Sequence, residues 1–257
     1  MRSARTRLRW SEWTDLRSPT IGVLLAAAVV ATTALAVWAG IVWRPLGGPG
    51  FTPVLPAAVL LATFVGWNQL GLSASDLRVW RETLIVIAGL SVVVAGIYLV
   101  GPGSPRELLA FGVGSLEEEL VFRFAAPLAL GGLTAWALGR PAGDVRAWGD
   151  GPRAVAVVGA AVTFTCMPGH LAQVGGPLEI VPFLAIAMLL TYTVLRTGAL
   201  VPGIAVHALL NVATVAYLAG AMPNPVWAAT VVLGLGAYAW GAERAGRRLG
   251  HMSPVPT

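Results

Sequence analysis

Three consecutive carboxylates, Glu117, Glu118 and Glu119, are followed by Arg123 in a run that is otherwise apolar from Glu107 to Leu138. Two of the chain's three histidines, His170 and His207, stand in apolar runs as well, with Asn211 four residues after His207. Spacing on a helix sorts these groups. Glu119 and Arg123 are four apart and share a face, which predicts an ion pair. Glu118 points elsewhere and is the freer carboxylate, while Glu117 has no motif role and is expected near a water-filled vestibule. His207 and Asn211 are again four apart, so an imidazole and an amide share one face. Pro168-Gly169 immediately precedes His170, and the loss of a backbone donor there predicts a distorted helix where His170 projects.

A carboxylate, two imidazoles and an amide around one cavity suit hydrolysis of a peptide bond. A desolvated Glu118 could take a proton from water, with one imidazole orienting that water. The other imidazole and the amide could donate to the oxyanion of a tetrahedral intermediate. The same His170, His207 and Glu118 are equally competent zinc ligands, with the metal activating the water. Chains of buried Glu and His also serve proton relays and transporters, so a non-proteolytic membrane protein stands as the alternative.

The elements that must position these groups are membrane helices. Of the 257 residues, 56% are apolar and only 11% charged, and the mean hydropathy is +0.76. A soluble domain carries about a quarter charged residues, too many more to be met by this chain. Apolar runs lie at Ile21–Trp43, Phe51–Leu72, Glu82–Leu99, Glu107–Leu138, Ala154–Val174, Ile180–Leu195, Ala199–Ala219 and Val226–Gly241, parted by Gly- and Pro-rich turns. At about 20 residues per crossing, they predict an all-α integral membrane protein with about eight transmembrane helices. The fourth run is long for one straight crossing, and Pro127 and Gly131-Gly132 are the expected places for a bend.

With the N-terminus inside, fourteen arginines fall in cytoplasmic segments against only Arg44 and Arg106 outside, Arg123 being within a span. That asymmetry places both termini in the cytoplasm. The expected organisation is a basic N-terminal segment (1–20), a transmembrane domain (21–243) with its motif core at about 105–220, and a C-terminal tail (244–257). Trp43, Trp80, Trp148 and Trp240 are expected at the membrane interfaces, and Glu107, Glu179 and Arg106 as interface flanks. The basic residues are dispersed among apolar spans with no continuous basic face, which excludes nucleic acid as a partner. The lone Cys166 excludes an internal disulfide and reads as a small buried hydrophobe.

At these residues the chain resembles the CPBP intramembrane proteases, which include type II CAAX prenyl endopeptidases and bacteriocin-processing or self-immunity proteins. The first family motif, Glu-Glu-x-x-x-Arg, is present as Glu118-Glu119-Leu120-Val121-Phe122-Arg123, and the third, His-x-x-x-Asn, as His207-Ala208-Leu209-Leu210-Asn211. The second, Phe-x-x-x-His, is met in part: Cys166 stands where Phe is expected and Phe164 lies two residues early. The resemblance covers roughly residues 105–220. It implies a multi-pass protease of the cell membrane acting on a membrane-associated protein or peptide. Glu118 would be the catalytic carboxylate, His170 its partner on water, and His207 with Asn211 the oxyanion stabilisers, supported by Glu119 and Arg123. It leaves open a zinc-dependent and a metal-free glutamate mechanism, and the altered second motif leaves open an inactive scaffold of the same fold.

Overall fold

A computed structural model describes residues 19–41, 55–65, 74–143, 145, 147–172 and 176–250. The described chain is helical throughout: α1 (Pro19–Trp38), α2 (Leu55–Val65), α3 (Ala74–Val100), α4 (Pro105–Glu119), a π-helical segment (Leu120–Ala125), α5 (Ala126–Ala137), α6 (Asp150–Thr165), α7 (Pro168–Leu171), α8 (Pro177–Thr197), α9 (Val201–Leu218) and α10 (Asn224–Gly250). Each of the eight apolar runs holds a helix. Among the described residues six helices are long and apolar enough to cross a membrane, counting α4 through α5 as one rod of 33 residues. α2 is described over 11 residues and α6 over 16. The chain is thus an all-α, multi-pass membrane protein. The expected segment 1–20 falls almost wholly outside the described residues. α10 continues helical past residue 244, to Gly250.

The rod from α4 to α5 is the axis of the fold. An 18-residue stretch of it has 72% of its residues buried inside the protein, against 22–39% in the matching stretches of the other five spans. Its start is fixed locally: Ser104 caps the helix, Pro105 occupies the first turn, and Glu107 bonds back to the Ser104 backbone N–H at 2.9 Å. Such a reciprocal box satisfies two otherwise orphan donors. Tyr98, at the end of α3, donates its hydroxyl to the same Glu107 at 3.2 Å, tying the two helices at their turn. Two apolar cores flank the rod. One joins α1, α2, the π segment, α5, α6 and α8, and the other joins α3, α9 and α10 with Phe111 of α4. Outward faces remain apolar, as with Val100 at 91% exposure and Leu178 at 87%, which suits lipid as the surrounding solvent.

Three expectations are corrected here. The irregularity of the fourth run does not fall at Gly131-Gly132, which lie within the regular helix α5. The irregularity is the π segment just before Pro127, where the N–H of Ala126 reaches back to the carbonyl of Val121. Pro127 has no N–H to offer the carbonyl of Arg123, so nothing holds that turn to regular spacing. The two glycines permit close packing instead. A Cβ at Gly131 would strike the Trp148 ring, and one at Gly132 would come within 2.7 Å of Val23. Trp80 and Trp148 are fully buried inside the protein, so neither ring is turned outward. Trp148 donates its indole N–H to the Ala142 carbonyl at 2.8 Å, and Trp80 stacks on Tyr238 with centroids 5.7 Å apart. Trp240 is 46% exposed with Arg244 over its ring, and Trp43 lies outside the described residues. Cys166, expected to be a buried hydrophobe, is exposed, because α6 has already ended at Thr165.

Candidate functional site

The polar residues of the spans meet between the two apolar cores, where α4, the end of α6, α7 and α9 face one another. Glu118 and Glu119 close α4, and Arg123 lies one turn on, within the π segment. Widened turns of this kind are frequent at functional sites, since the extra residue re-aims the side chains around it. α9 is a regular helix that presents His207 and, one turn later, Asn211. α6 stops at Thr165, Met167 takes an extended conformation, and Pro168 starts a single turn that carries His170. The break expected at Pro168-Gly169 is therefore present, and it returns His170 toward the end of α6.

His207 lies between the two adjacent carboxylates. Its Nε2 is 3.1 Å from Glu118 Oε2 and its Nδ1 is 2.9 Å from Glu119 Oε1. Both ring nitrogens thus face acceptors, an environment that favours the doubly protonated imidazolium. Glu119 also holds Arg123, with 3.5 Å between its Oε1 and the Nε, and both side chains are sealed from solvent. The predicted pair is therefore part of a larger chain, Arg123–Glu119–His207–Glu118. Glu118 differs from its neighbour in access: its side chain is 31% exposed where that of Glu119 is 0%. Glu117, expected near a vestibule, is only 4% exposed.

His170 approaches the same oxygen of Glu118 from the other side, with its Nε2 at 3.7 Å. Its Nδ1 lies 2.5 Å from the Phe164 carbonyl. A carbonyl only accepts, so Nδ1 carries the proton, and a neutral His170 turns the lone pair of Nε2 toward Glu118. Phe164 is the centre of an aromatic group around this histidine. Its ring centroid is 4.0 Å from that of His170, 5.6 Å from Phe183 of α8 and 5.3 Å from Phe122. The Arg123 guanidinium sits over the same ring at 4.2 Å. The aromatic position of the second motif is thus filled in space by Phe164. On an unbroken helix, residues six apart would stand about 120° apart around the axis and about 9 Å along it. The break after Thr165 brings them into contact and leaves Cys166 outside.

Asn211 donates its amide to Ser115 Oγ at 3.1 Å, and Ser115 donates in turn to the Phe111 carbonyl at 2.8 Å. With its own proton spent on Phe111, Ser115 can only accept from Asn211, which fixes the amide's orientation and leaves it a second N–H. Neither Ser115 nor Phe183 is among the site residues expected from the sequence. Ser115 precedes Glu118 by three and Glu119 by four, so its place on their face was the available signal.

Zinc requires at least three protein donors around one point. Among the described residues no group of three His, Cys, Asp or Glu side chains is spaced to hold a metal ion. The Nε2 atoms of both histidines are instead directed at one carboxylate oxygen. Glu118, His170 and His207 are thus the residues shared by the zinc-dependent and the metal-free readings.

Residues 104–213 match the family model described as Type II CAAX prenyl endopeptidase Rce1-like, consistent with the CPBP proteases. The matched stretch holds every member of the cluster and begins at the Ser104 cap of α4. Comparison with curated proteins and with solved structures gave no match.

Proposed function

We propose that the chain, with its Rce1-like segment at 104–213, is an intramembrane endopeptidase that hydrolyses a peptide bond of a membrane-associated protein or peptide. The Rce1-like segment supports a protease of the CAAX and CPBP type. The observation that carries the mechanism is the 3.7 Å gap between Glu118 Oε2 and His170 Nε2, read here as two acceptors with His170 neutral. Two acceptors at that spacing do not bond to each other, but a water can donate one hydrogen to each. Its oxygen lone pairs then face outward, toward a scissile carbonyl.

As the water oxygen bonds to the carbonyl carbon, its proton passes to Glu118, and the carbonyl π electrons become an oxyanion. Negative charge leaves Glu118 in that step and appears on the substrate. The His207 Nε2–H, held until then by Glu118, follows the charge to the oxyanion, with the spare N–H of Asn211 beside it. Glu119 orients His207 through its Nδ1, and Arg123 pairs with Glu119 in turn. When the tetrahedral intermediate collapses, the C–N bond breaks, and Glu118 returns its proton to the leaving amine nitrogen.

The same reading includes eight crossings with both termini in the cytoplasm. Arg244 pairs with Glu82, and the Arg196 side chain packs at Gly246. The start of α3 and the ends of α8 and α10, all expected inside, therefore share one end of the bundle.

The test is a membrane-proteome comparison of cells carrying the wild-type protein or Glu118→Gln. Wild-type cells should accumulate fragments cut near a membrane surface that the variant cells lack. Identical fragment sets, together with a proton flux that tracks His170→Ala and His207→Ala, would establish the relay in its place. Cleavage should persist under exhaustive chelation; loss restored by zinc would return the metal to the mechanism.

A further inference from the structure

On the Nδ1 side of His207 the protein seals a second polar group, and it reaches beyond the residues 104–213. Five buried atoms there have no hydrogen-bond partner among the described residues: Glu119 Oε2, the three guanidinium nitrogens of Arg123, and the hydroxyl of Tyr238 on α10. Tyr238 is 0% exposed, as are Glu119 and Arg123. Leaving such a group unpaired costs about 1–3 kcal/mol, and in folded proteins nearly all of them find a protein or water partner. Glu119 Oε2 is the one pure acceptor of the five; the guanidinium can only donate.

Gly203 shows that two of these atoms, Glu119 Oε2 and the Tyr238 hydroxyl, face a common point. A Cβ built at Gly203 would lie 2.8 Å from Glu119 Oε2 and 3.6 Å from the Tyr238 hydroxyl. The two oxygens therefore line the same space beside Gly203 and are no further apart than those distances combined. Gly203 precedes His207 by four on α9, so the missing side chain opens space on the histidine's own face. The Tyr238 ring is held by its stack on Trp80. Thr193 of α8 lies close to the hydroxyl without meeting hydrogen-bond geometry.

We infer that Tyr238 is a positioning residue of the site: its hydroxyl donates, through one bridging water, to Glu119 Oε2 and so fixes the carboxylate that holds His207. The inference rests on the role given to His207 above. It explains why α10, which supplies no member of the three motifs, packs on both α9 and α8.

The test joins kinetics to ring-nitrogen NMR of the histidines in the full-length protein. Tyr238→Phe removes one oxygen, and Gly203→Ala fills the space beside Glu119. Both should move the His207 ring-nitrogen resonances and leave those of His170 in place. Both should lower kcat by about 10- to 100-fold with KM held within about twofold. Tyr217→Phe, a ring stacked on Trp227 at the other end of α9, should change neither. Unmoved His207 resonances in both variants would overturn the inference and assign the hydroxyl to Thr193. Should the wild-type protein cleave nothing, the protease reading fails, while the NMR comparison still decides the role of Tyr238.

Discussion

His207 and His170 touch the same carboxylate oxygen but are held in opposite ways. His207 sits in the interior of a regular helix, and both its nitrogens are fixed by the charged carboxylates of Glu118 and Glu119. His170 sits on a single helical turn after a chain break, fixed by one backbone carbonyl and by the rings of Phe164 and Phe183. On the proposed mechanism the first arrangement supplies the donor to the oxyanion and the second the lone pair that orients the water. The difference teaches that the local structure around each imidazole, regular or broken, sets which half of the reaction it can serve.

The comparison breaks most severely at His207. His207→Ala removes the donor and also strands Glu119 and Arg123 in the interior. Cleavage should fall by about 10²- to 10³-fold, and the protein should lose about 3–5 kcal/mol of stability. Thermal melting in detergent alongside a cleavage assay checks both effects. His170→Ala should match the loss in rate but not the loss in stability, and equal melting shifts would erase the contrast.

Next in size is the aromatic support of His170. Phe164→Ala should destabilise by about 3–5 kcal/mol as a buried ring is lost. Cys166→Ala, at the position where the family motif expects the aromatic, should stay within about 0.5 kcal/mol. A reversal of that order would mean that the second motif is read from residue 166 after all. Pro168→Ala restores a backbone donor and lets α6 run on past Thr165, carrying His170 away from Phe164. Activity should drop by at least about tenfold with the fold intact; full activity would show that the break is dispensable. The smallest effect is expected at Ser115. Ser115→Ala frees the Asn211 amide at a cost of about 1 kcal/mol, roughly fivefold in kcat.

What could be read from the sequence follows the same division. Residues four apart on an unbroken helix, Glu119 with Arg123 and His207 with Asn211, declare a shared face. Their grouping was legible because helical periodicity survives in the order of residues. The break before His170 was legible too, from Pro168. Its consequence, Phe164 in the place of residue 166, was not, because a break resets the phase that spacing arguments rely on. The π segment escaped notice for a related reason: Pro127 announces a disturbance but not which preceding turn absorbs it. Trp80 and Trp148 were misplaced because hydropathy gives position along a span and says nothing of whether a ring faces lipid or protein. Tyr238 is remote from the motifs in sequence, and it and Gly203, four residues before His207, acquire meaning only once α9 and α10 pack.

The central claim is that Glu118 takes the proton of the attacking water. Its most direct test is the cleavage rate of Glu118→Gln against wild-type protein, both reconstituted in lipid vesicles with a substrate identified from the membrane proteome. A variant that stays folded and binds that substrate with its rate reduced by at least about 10³-fold is the expected result. A folded Glu118→Gln protein that cleaves within tenfold of wild type would contradict the account.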